Sequence, residues 1–360
     1  MKRWFSKLAM LVSRKKIGIF LILNICCSVI VYYTAKDKSL KSRPPRFHNV
    51  YSAYDLSTKQ ENCDYNCQLQ VQQLRRDTVS YYCEEMGRHQ PYKKPLNAYD
   101  VMRLHLSHIY VLDELQIMYC SVPKAGSSNW KRILLTLSGV INNVDSIHQY
   151  KIHSKINENI KLLSNYPLRE ILHKLRHYKK FMFSRDPFSR LLSAYRNKIE
   201  RSSSPFRKTW APIMKKQWFR VFRRRPSKIT FTDFAEYLKN SLNSLDRGPE
   251  EHWREMYRLC EPCSIGYDFL GKMESVERDS QFVLDHLFNK TLPKKKVYFM
   301  KASDTIHFTG STDEEIMSKY YHSLPKKTLQ GLYKRYEPDF QLFNYPKPLF
   351  MDPYRNGSRL

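Results

Sequence analysis

Apolar residues recur along the chain at two different spacings. Leu69, Leu74 and Val79 stand among polar residues between Asn66 and Cys83, a pattern that predicts a helix leading into the folded part. Gln116 to Val122 is a short apolar run. After the loop Lys124 to Asn129, apolar residues return at Ile133, Leu134 and Leu137, so strand, loop and helix follow one another. The order repeats with a strand at Phe181 to Phe183 and a helix at Pro187 to Glu200. Thr232 with Glu236 suits another helix start, "YDFLGKME" a strand, and "DEEIMSKYYHSL" and "LQGLYKRY" late helices. This alternation predicts an α/β fold with a central parallel sheet flanked by helices, its ligands at the carboxyl ends of the strands.

A third pattern lies near the start. Ile17 to Tyr33 carries no charge, is just long enough to cross a bilayer, and follows Lys2, Arg3, Lys7, Arg14, Lys15 and Lys16. Positive residues stay on the cytoplasmic side, so the run reads as a signal anchor with everything after Thr34 outside or luminal. A cleaved signal peptide would need small residues where Tyr32, Tyr33 and Thr34 stand. The expected organisation is a cytoplasmic tail at 1–16, a transmembrane span at 17–34, a luminal stem and lead-in helix at 35–103, and one domain at 104–354.

Charge and cysteine count sharpen this reading. Net charge is +28, and the first 36 residues hold seven Lys or Arg and no acid, which leaves +21 for the remainder. Such a field attracts nucleic acid, anionic membrane or an acidic polymer, and luminal topology argues against nucleic acid. Cys63, Cys67, Cys83, Cys120, Cys260 and Cys263 lie beyond the span, an even number that permits three disulfides in fifteen pairings. The Cys260-Glu-Pro-Cys263 spacing also suits half a zinc site or a redox motif, but no persuasive second half exists. Asn289 and Asn356 begin sequons open to glycosylation in that compartment.

The loop Lys124 to Asn129 joins a strand end to a helix start, where unpaired amides and the helix dipole favour an anion. Gly126 allows close backbone approach, and Ser127 and Ser128 add hydroxyls. A Walker A loop ends in Gly-Lys-Ser/Thr and places its hydroxyl on magnesium; here the lysine comes first, which speaks against a kinase or nucleotide hydrolase. In "FMFSRDPFSRLLSAYRNKIE", Arg185 lies at the second strand end and Ser193 follows on the helix, both able to donate to a second phosphate. Pairing of Arg185 with Asp186 is the plain alternative.

Together these loops resemble the 5′-phosphosulfate and 3′-phosphate sites of sulfotransferases that use 3′-phosphoadenosine 5′-phosphosulfate (PAPS). More narrowly, the chain resembles Golgi carbohydrate sulfotransferases of the chondroitin, dermatan and HNK-1 type. The likeness runs from about Cys83 to Tyr345 through "VPKAGSSNWKR", "FSRDPFSRLLSAYRNK", "HW" at His252 and Trp253, "CEPCSIGYDFLGKMES" and "LYKRYEPDFQLFNY". Ser127 stands where many members have Cys, and Ser184 where Val is usual.

The resemblance implies sulfuryl transfer from PAPS to a glycan hydroxyl, with no metal. Lys124 would carry charge on the bridging and leaving oxygens. Ala125, Gly126, Ser127, Ser128 and Asn129 would hold the 5′-phosphate, Arg185 and Ser193 the 3′-phosphate, and Pro123, Asp186 and Arg190 are also expected at the cofactor. A base is needed for the acceptor hydroxyl, and the candidates are His148, His153 and His252, with His153 favoured and His252 also expected at the substrate. Arg201 to Lys228 holds ten basic residues and no acid; Arg223, Arg224 and Arg225 read as a track for an acidic polysaccharide, against the plainer reading of a solvated loop. The expected activity is 4-O sulfation of N-acetylgalactosamine in chondroitin or dermatan. Glucuronate of the HNK-1 type, a terminal N-glycan sugar, and a non-catalytic polyanion-binding membrane protein are the alternatives.

Overall fold

The computed structural model describes residues 63–88, 95–201, 205–222, 228–240, 250–288, 297–301, 310 and 312–351. The expected cytoplasmic tail, the span Ile17–Tyr33, most of the stem, Arg223 to Arg225, Asn289 and Asn356 lie outside the described residues. No helix among the described residues is long and apolar enough to cross a membrane.

Helix α1 (Tyr65–Glu85) and the short α2 (Ala98–Met102) lead to strands β1 (Ile109–Leu112) and β2 (Ile117–Cys120). Then come α3 (Ser127–Leu137), α4 (Ile152–Asn159), α5 (Leu168–His177) and β3 (Lys179–Ser184). Helix α6 (Pro187–Tyr195) runs into a π turn at Arg196–Glu200 instead of continuing as α-helix to Glu200. After it come α7 (Pro205–Phe222), α8 (Phe231–Asn240), α9 (Met256–Cys260), α10 (Pro262–Ile265), β4 (Phe269–Lys272), α11 (Val276–Phe288), α12 (Glu314–Tyr321) and α13 (Lys326–Leu342). The fold is α/β. Helix α7 replaces much of the loop expected between Arg201 and Lys228; it docks through buried Met214 and through Trp210, whose ring meets Trp253 at 5.2 Å.

Among the described residues the sheet has four strands in the order β1-β2-β3-β4. β2, β3 and β4 are parallel, but β1 pairs antiparallel with β2 from Ile109↔Cys120 to Leu112↔Ile117. The expected parallel sheet is therefore mixed. Only Asp113 to Gln116 link β1 to β2, with Gln116 left-handed at φ 54°, and so short a link makes a hairpin, since a parallel crossover needs a dozen residues or more.

Alternation along each strand feeds two cores. Tyr119, Phe181, Phe183 and Phe269 pack with Trp130, Ile133 and Leu134 of α3; Met118, Met182 and Leu270 pack with Phe188, Leu191 and Leu192 of α6. The two helices that follow the two loops thus cover opposite faces. Gly271 of β4 lets the Phe183 ring approach, since a Cβ there would lie 2.3 Å from it.

The open edge of β4 is covered by polar side chains of α1. Gln72 Oε1 accepts from the Leu270 amide (2.9 Å), Arg75 donates to the Leu270 carbonyl (2.7 Å) and to Asp279 (2.6 Å), and Arg76 donates to the Asp268 carbonyl (2.8 Å). Unpaired edge groups that would otherwise invite another strand are satisfied within the chain. Among the described residues the six cysteines pair as Cys63–Cys67, Cys83–Cys263 and Cys120–Cys260. The Cys-x-x-Cys residues thus take separate partners, which tie α1 and β2 to the α9–α10 segment.

Candidate active site

The carboxyl ends of β2, β3 and β4 lie side by side, because Cys120 is level with Met182 and Ser184 with Lys272. Three loops therefore meet at one end of the sheet. In the first, Lys124 (φ 68°) and Gly126 (φ 73°) are both left-handed, on either side of Ala125. For lysine that backbone region is strained, and strain of this kind concentrates at ligand sites. Glycine is required at 126: a Cβ would lie 2.7 Å from Phe299 Cζ and 2.9 Å from Met273 Sδ. As N-cap of α3, Gly126 has no side chain to bond the first turn, so that turn presents amides suited to an anion. Ser127 is buried and Ser128 half-buried within it. Asn129 is turned to structure, donating to the Met300 carbonyl (2.8 Å) and accepting from Arg132 (3.2 Å).

In the second loop, Arg185 Nη1 donates to the Lys124 carbonyl (3.1 Å), which joins the two loops directly. Asp186 accepts from the Ser189 amide (2.7 Å) as N-cap of α6, and its own amide donates to Glu274 Oε1 (2.8 Å) in the loop after β4. Burial pushes the Asp186 carboxyl up to about 6. Glu274 also accepts from Tyr345 (2.8 Å), whose hydroxyl lies 3.1 Å from Ser184 Oγ, so the serine that replaces the usual valine belongs to a buried polar network. Ser193 is buried in the second turn of α6.

Arg190 is fully buried and spreads its guanidinium over three main-chain carbonyls: Pro123 (2.9 Å), Glu251 (3.1 Å) and Arg254 (2.7 Å). It ties the Lys124 loop to the segment that carries His252. That segment is fixed from behind by α13, whose Asp339 accepts the Met256 and Tyr257 amides at 2.7 and 2.8 Å and whose Tyr336 donates to the Trp253 carbonyl.

The resulting field is strongly positive. Burial, and then repulsion from Arg185, Lys198, Arg201 and Arg190, brings the Lys124 ammonium down to about 7. His252 is held well below its ordinary value by burial first, with Lys198, Lys124 and Arg190 adding to the effect against the opposing Glu251. Its Nδ1 lies 2.7 Å from Glu250 Oε1. His153 is elsewhere, exposed on α4 with Nδ1 3.3 Å from the Lys131 ammonium, and His148 precedes α4 beside Tyr150. The structure therefore gathers Pro123 to Ser128, Arg185, Asp186, Arg190 and His252, and sets His153 on the far side of Lys131. His252 is the residue whose placement the local sequence conceals, because its neighbour in space is brought by Arg190 from another helix. Glu250, Glu251 and His252 bring ligand atoms within 4.8 Å of one another, but Lys124, Lys198 and Arg190 already act on this group.

An anion on this loop has a definite pH signature. Its binding favours the ammonium, while Lys124 in the free protein loses its proton above about 7, so binding above that pH takes up a proton. Affinity for a phosphate-bearing nucleotide should fall by about tenfold per pH unit above neutrality until the bound lysine itself titrates. Calorimetry in buffers of different ionisation enthalpy measures the uptake; constant affinity from mildly acid to mildly alkaline pH would contradict the assignment.

Residues 107–346 match the sulfotransferase family. Carbohydrate sulfotransferase 14 of Danio rerio is 35% identical over 325 residues, covering 86% of this chain and 81% of the relative. Carbohydrate sulfotransferase 11 of Mus musculus is 32% identical over 286 residues, 78% of each chain, and carbohydrate sulfotransferase 12 of Xenopus laevis 32% over 320 residues, 82% and 73%. No solved structure matches the chain significantly.

Proposed function

The chain belongs to the sulfotransferase family, as a carbohydrate sulfotransferase, and on that premise we propose that its site moves a sulfuryl group from PAPS to a glycan hydroxyl. The observation that carries the assignment is the junction of two anion-binding loops, with Arg185 bonded to the Lys124 carbonyl at 3.1 Å on neighbouring parallel strands. A donor with phosphates at both ends of its ribose needs two such sites a short distance apart. The strained Lys124–Gly126 turn and first-turn amides of α3 suit the 5′ side; Arg185 and Ser193 suit the 3′-phosphate. Asp186 and Arg190 serve this site by holding the loops, since their groups are engaged with Ser189 and with three carbonyls.

In transfer, the acceptor oxygen forms a bond to sulfur as the bond from sulfur to the 5′-phosphate oxygen breaks, and the leaving nucleotide takes the electron pair. Lys124 neutralises charge growing on that oxygen. The acceptor proton goes to a base. His153 is favoured by its place in the sequence, but its surroundings favour His252: the Glu250 carboxylate at 2.7 Å fixes the proton on Nδ1 and leaves the Nε2 lone pair as acceptor, and the depressed pKa keeps the ring neutral. Glu250 then stabilises the imidazolium that forms. His252→Ala should lower kcat about a hundredfold or more, and His153→Ala should alter KM for the acceptor instead. The reverse pattern would return the role to His153.

The resemblance favours 4-O sulfation of N-acetylgalactosamine in chondroitin or dermatan, while the relatives are carbohydrate sulfotransferases 14, 11 and 12, whose names share only the carbohydrate class. A type II Golgi topology is supported by the charge-free run Ile17–Tyr33 behind six basic residues, by the sequons at Asn289 and Asn356, and by the three disulfides. Arg223 to Arg225 remain proposed contacts for a polyanionic acceptor. Binding of 3′-phosphoadenosine 5′-phosphate tests the donor assignment. It should bind far more tightly than AMP, and Arg185→Ala should reduce that preference; equal affinity for the two nucleotides would refute it.

A further inference from the structure

A row of charged side chains leads from Lys124 along the first turns of α3. Arg190 bonds both the Pro123 and Glu251 carbonyls, so the segment of His252 lies against the Lys124 loop. The Glu251 carboxylate lies 4.0 Å from His252 Nδ1 and 3.5 Å from His108 Nδ1. Next along the row is Lys131, close enough to His108 and Glu251 for their charges to interact. It stands four residues beyond Ser127 on α3, about 6 Å along the helix axis. Only 8% of Lys131 is exposed, yet among the described residues no carboxylate lies within 4.0 Å of its ammonium. Its neighbours are the Tyr110 ring, 5.1 Å away and fixed by a hydroxyl bond to Asn157 (2.9 Å), and the exposed His153 at 3.3 Å.

A buried ammonium with no carboxylate in bonding distance is costly to the fold, and burial brings this one down to about 8 against the opposing pull of Glu251. An anion arriving from the side of His153 would stabilise its charge and meet a second donor in the imidazole. Just before α4, Tyr150 is 70% exposed, with the His148 ring 4.6 Å from its own and the Lys151 ammonium 5.8 Å away. An exposed aromatic face beside cations suits a sugar ring that bears a negative charge.

We propose that Lys131 and His153 form a subsite for the carboxylate of an acidic sugar next to the sugar being sulfated, with Tyr150 as the face against which the chain lies. The inference rests on the sulfotransferase reading for its place beside the reacting centre. It gives His153 a role in acceptor choice, and it places selection for uronate within the catalytic domain, one helical turn from the donor.

The test compares three acceptors of equal length: a uronate-containing glycan, the same glycan with its carboxyls reduced to alcohols, and a carboxyl-reduced glycan bearing sulfate esters. In Lys131→Met the ratio of kcat/KM for the carboxylated over the carboxyl-reduced acceptor should fall about tenfold, about 1.4 kcal/mol, and Lys131→Arg should restore most of it. His153→Ala and Tyr150→Ser alter exposed side chains, so they keep the test open if Lys131→Met does not fold; each should lower the ratio about threefold. KM for PAPS should move little in any of them. An unchanged ratio in Lys131→Met, or in both surface variants, overturns the subsite, as does a loss confined to the sulfated acceptor. If the unmodified enzyme transfers sulfate to no acceptor, the sulfotransferase reading fails on its own. Equilibrium binding of the three glycans to the same variants then decides the subsite by the same ratio.

Discussion

Lys124→Ala is expected to lower kcat by about a thousandfold while leaving the protein folded and at least as stable. The lysine stands in the loop after β2 in a strained left-handed conformation, and burial, with the surrounding cations, makes its charge unwelcome until an anion arrives. In the ground state the donor is held by many groups, so the loss should appear mainly in kcat, where charge accumulates on the leaving oxygen. Stability should move the other way. A lysine whose ammonium is depressed by burial binds fewer protons folded than unfolded between about 7 and its ordinary value, so it disfavours the native state below that window and progressively less as pH rises through it. Removing it should raise the melting temperature most at acid and neutral pH. Kinetics and thermal unfolding on the same preparation check both halves, and kcat within tenfold of the parent would contradict the role.

Arg190→Met should damage both activity and stability. Three carbonyls, of Pro123, Glu251 and Arg254, lose their donor at once, and each buried acceptor left unsatisfied costs about 1–3 kcal/mol. The loss should total about 3 kcal/mol or more, although some of it is offset because the native fold no longer has to bury a guanidinium. Functionally, the variant uncouples the donor loop from His252, so donor KM should rise and kcat should fall together. A variant with parental melting and unchanged donor KM would show that Arg190 does not tie these segments. Arg190→Lys should recover little, because a single ammonium cannot span three divergent carbonyls.

The two strand–loop–helix units were legible in the sequence because a strand, a small-residue loop and an amphipathic helix are local patterns, and both lie where the spacing placed them. What the sequence concealed depends on contacts between distant residues. The β1 hairpin turns on Gln116, a residue with no strong turn preference. Helix α1 carries Gln68, Gln72 and Arg75, polar residues that nothing local marks as buried, yet they are buried where α1 covers the edge of β4. The cysteine count left fifteen pairings open, and only the fold brings Cys83 to Cys263 and Cys120 to Cys260. His252 was visible as part of a short "HW" motif; its position beside Lys124 is set by Arg190, which lies in the helix after a different strand. The motif "LYKRYEPDFQLFNY" has an equally physical basis, since Asp339, Tyr336 and Tyr345 bond the loops of the site from behind.

The central claim is that this site uses the 3′-phosphorylated donor to sulfate a sugar hydroxyl. Its most direct test is transfer of radiolabelled sulfate from PAPS to a panel of desulfated glycans by the purified catalytic part, with Lys124→Ala alongside. The structure predicts label bound covalently to an acidic glycan, released as a sulfated monosaccharide on digestion, and lost in the variant. A folded protein that binds 3′-phosphoadenosine 5′-phosphate but labels no glycan, or labels equally with and without Lys124, would contradict it.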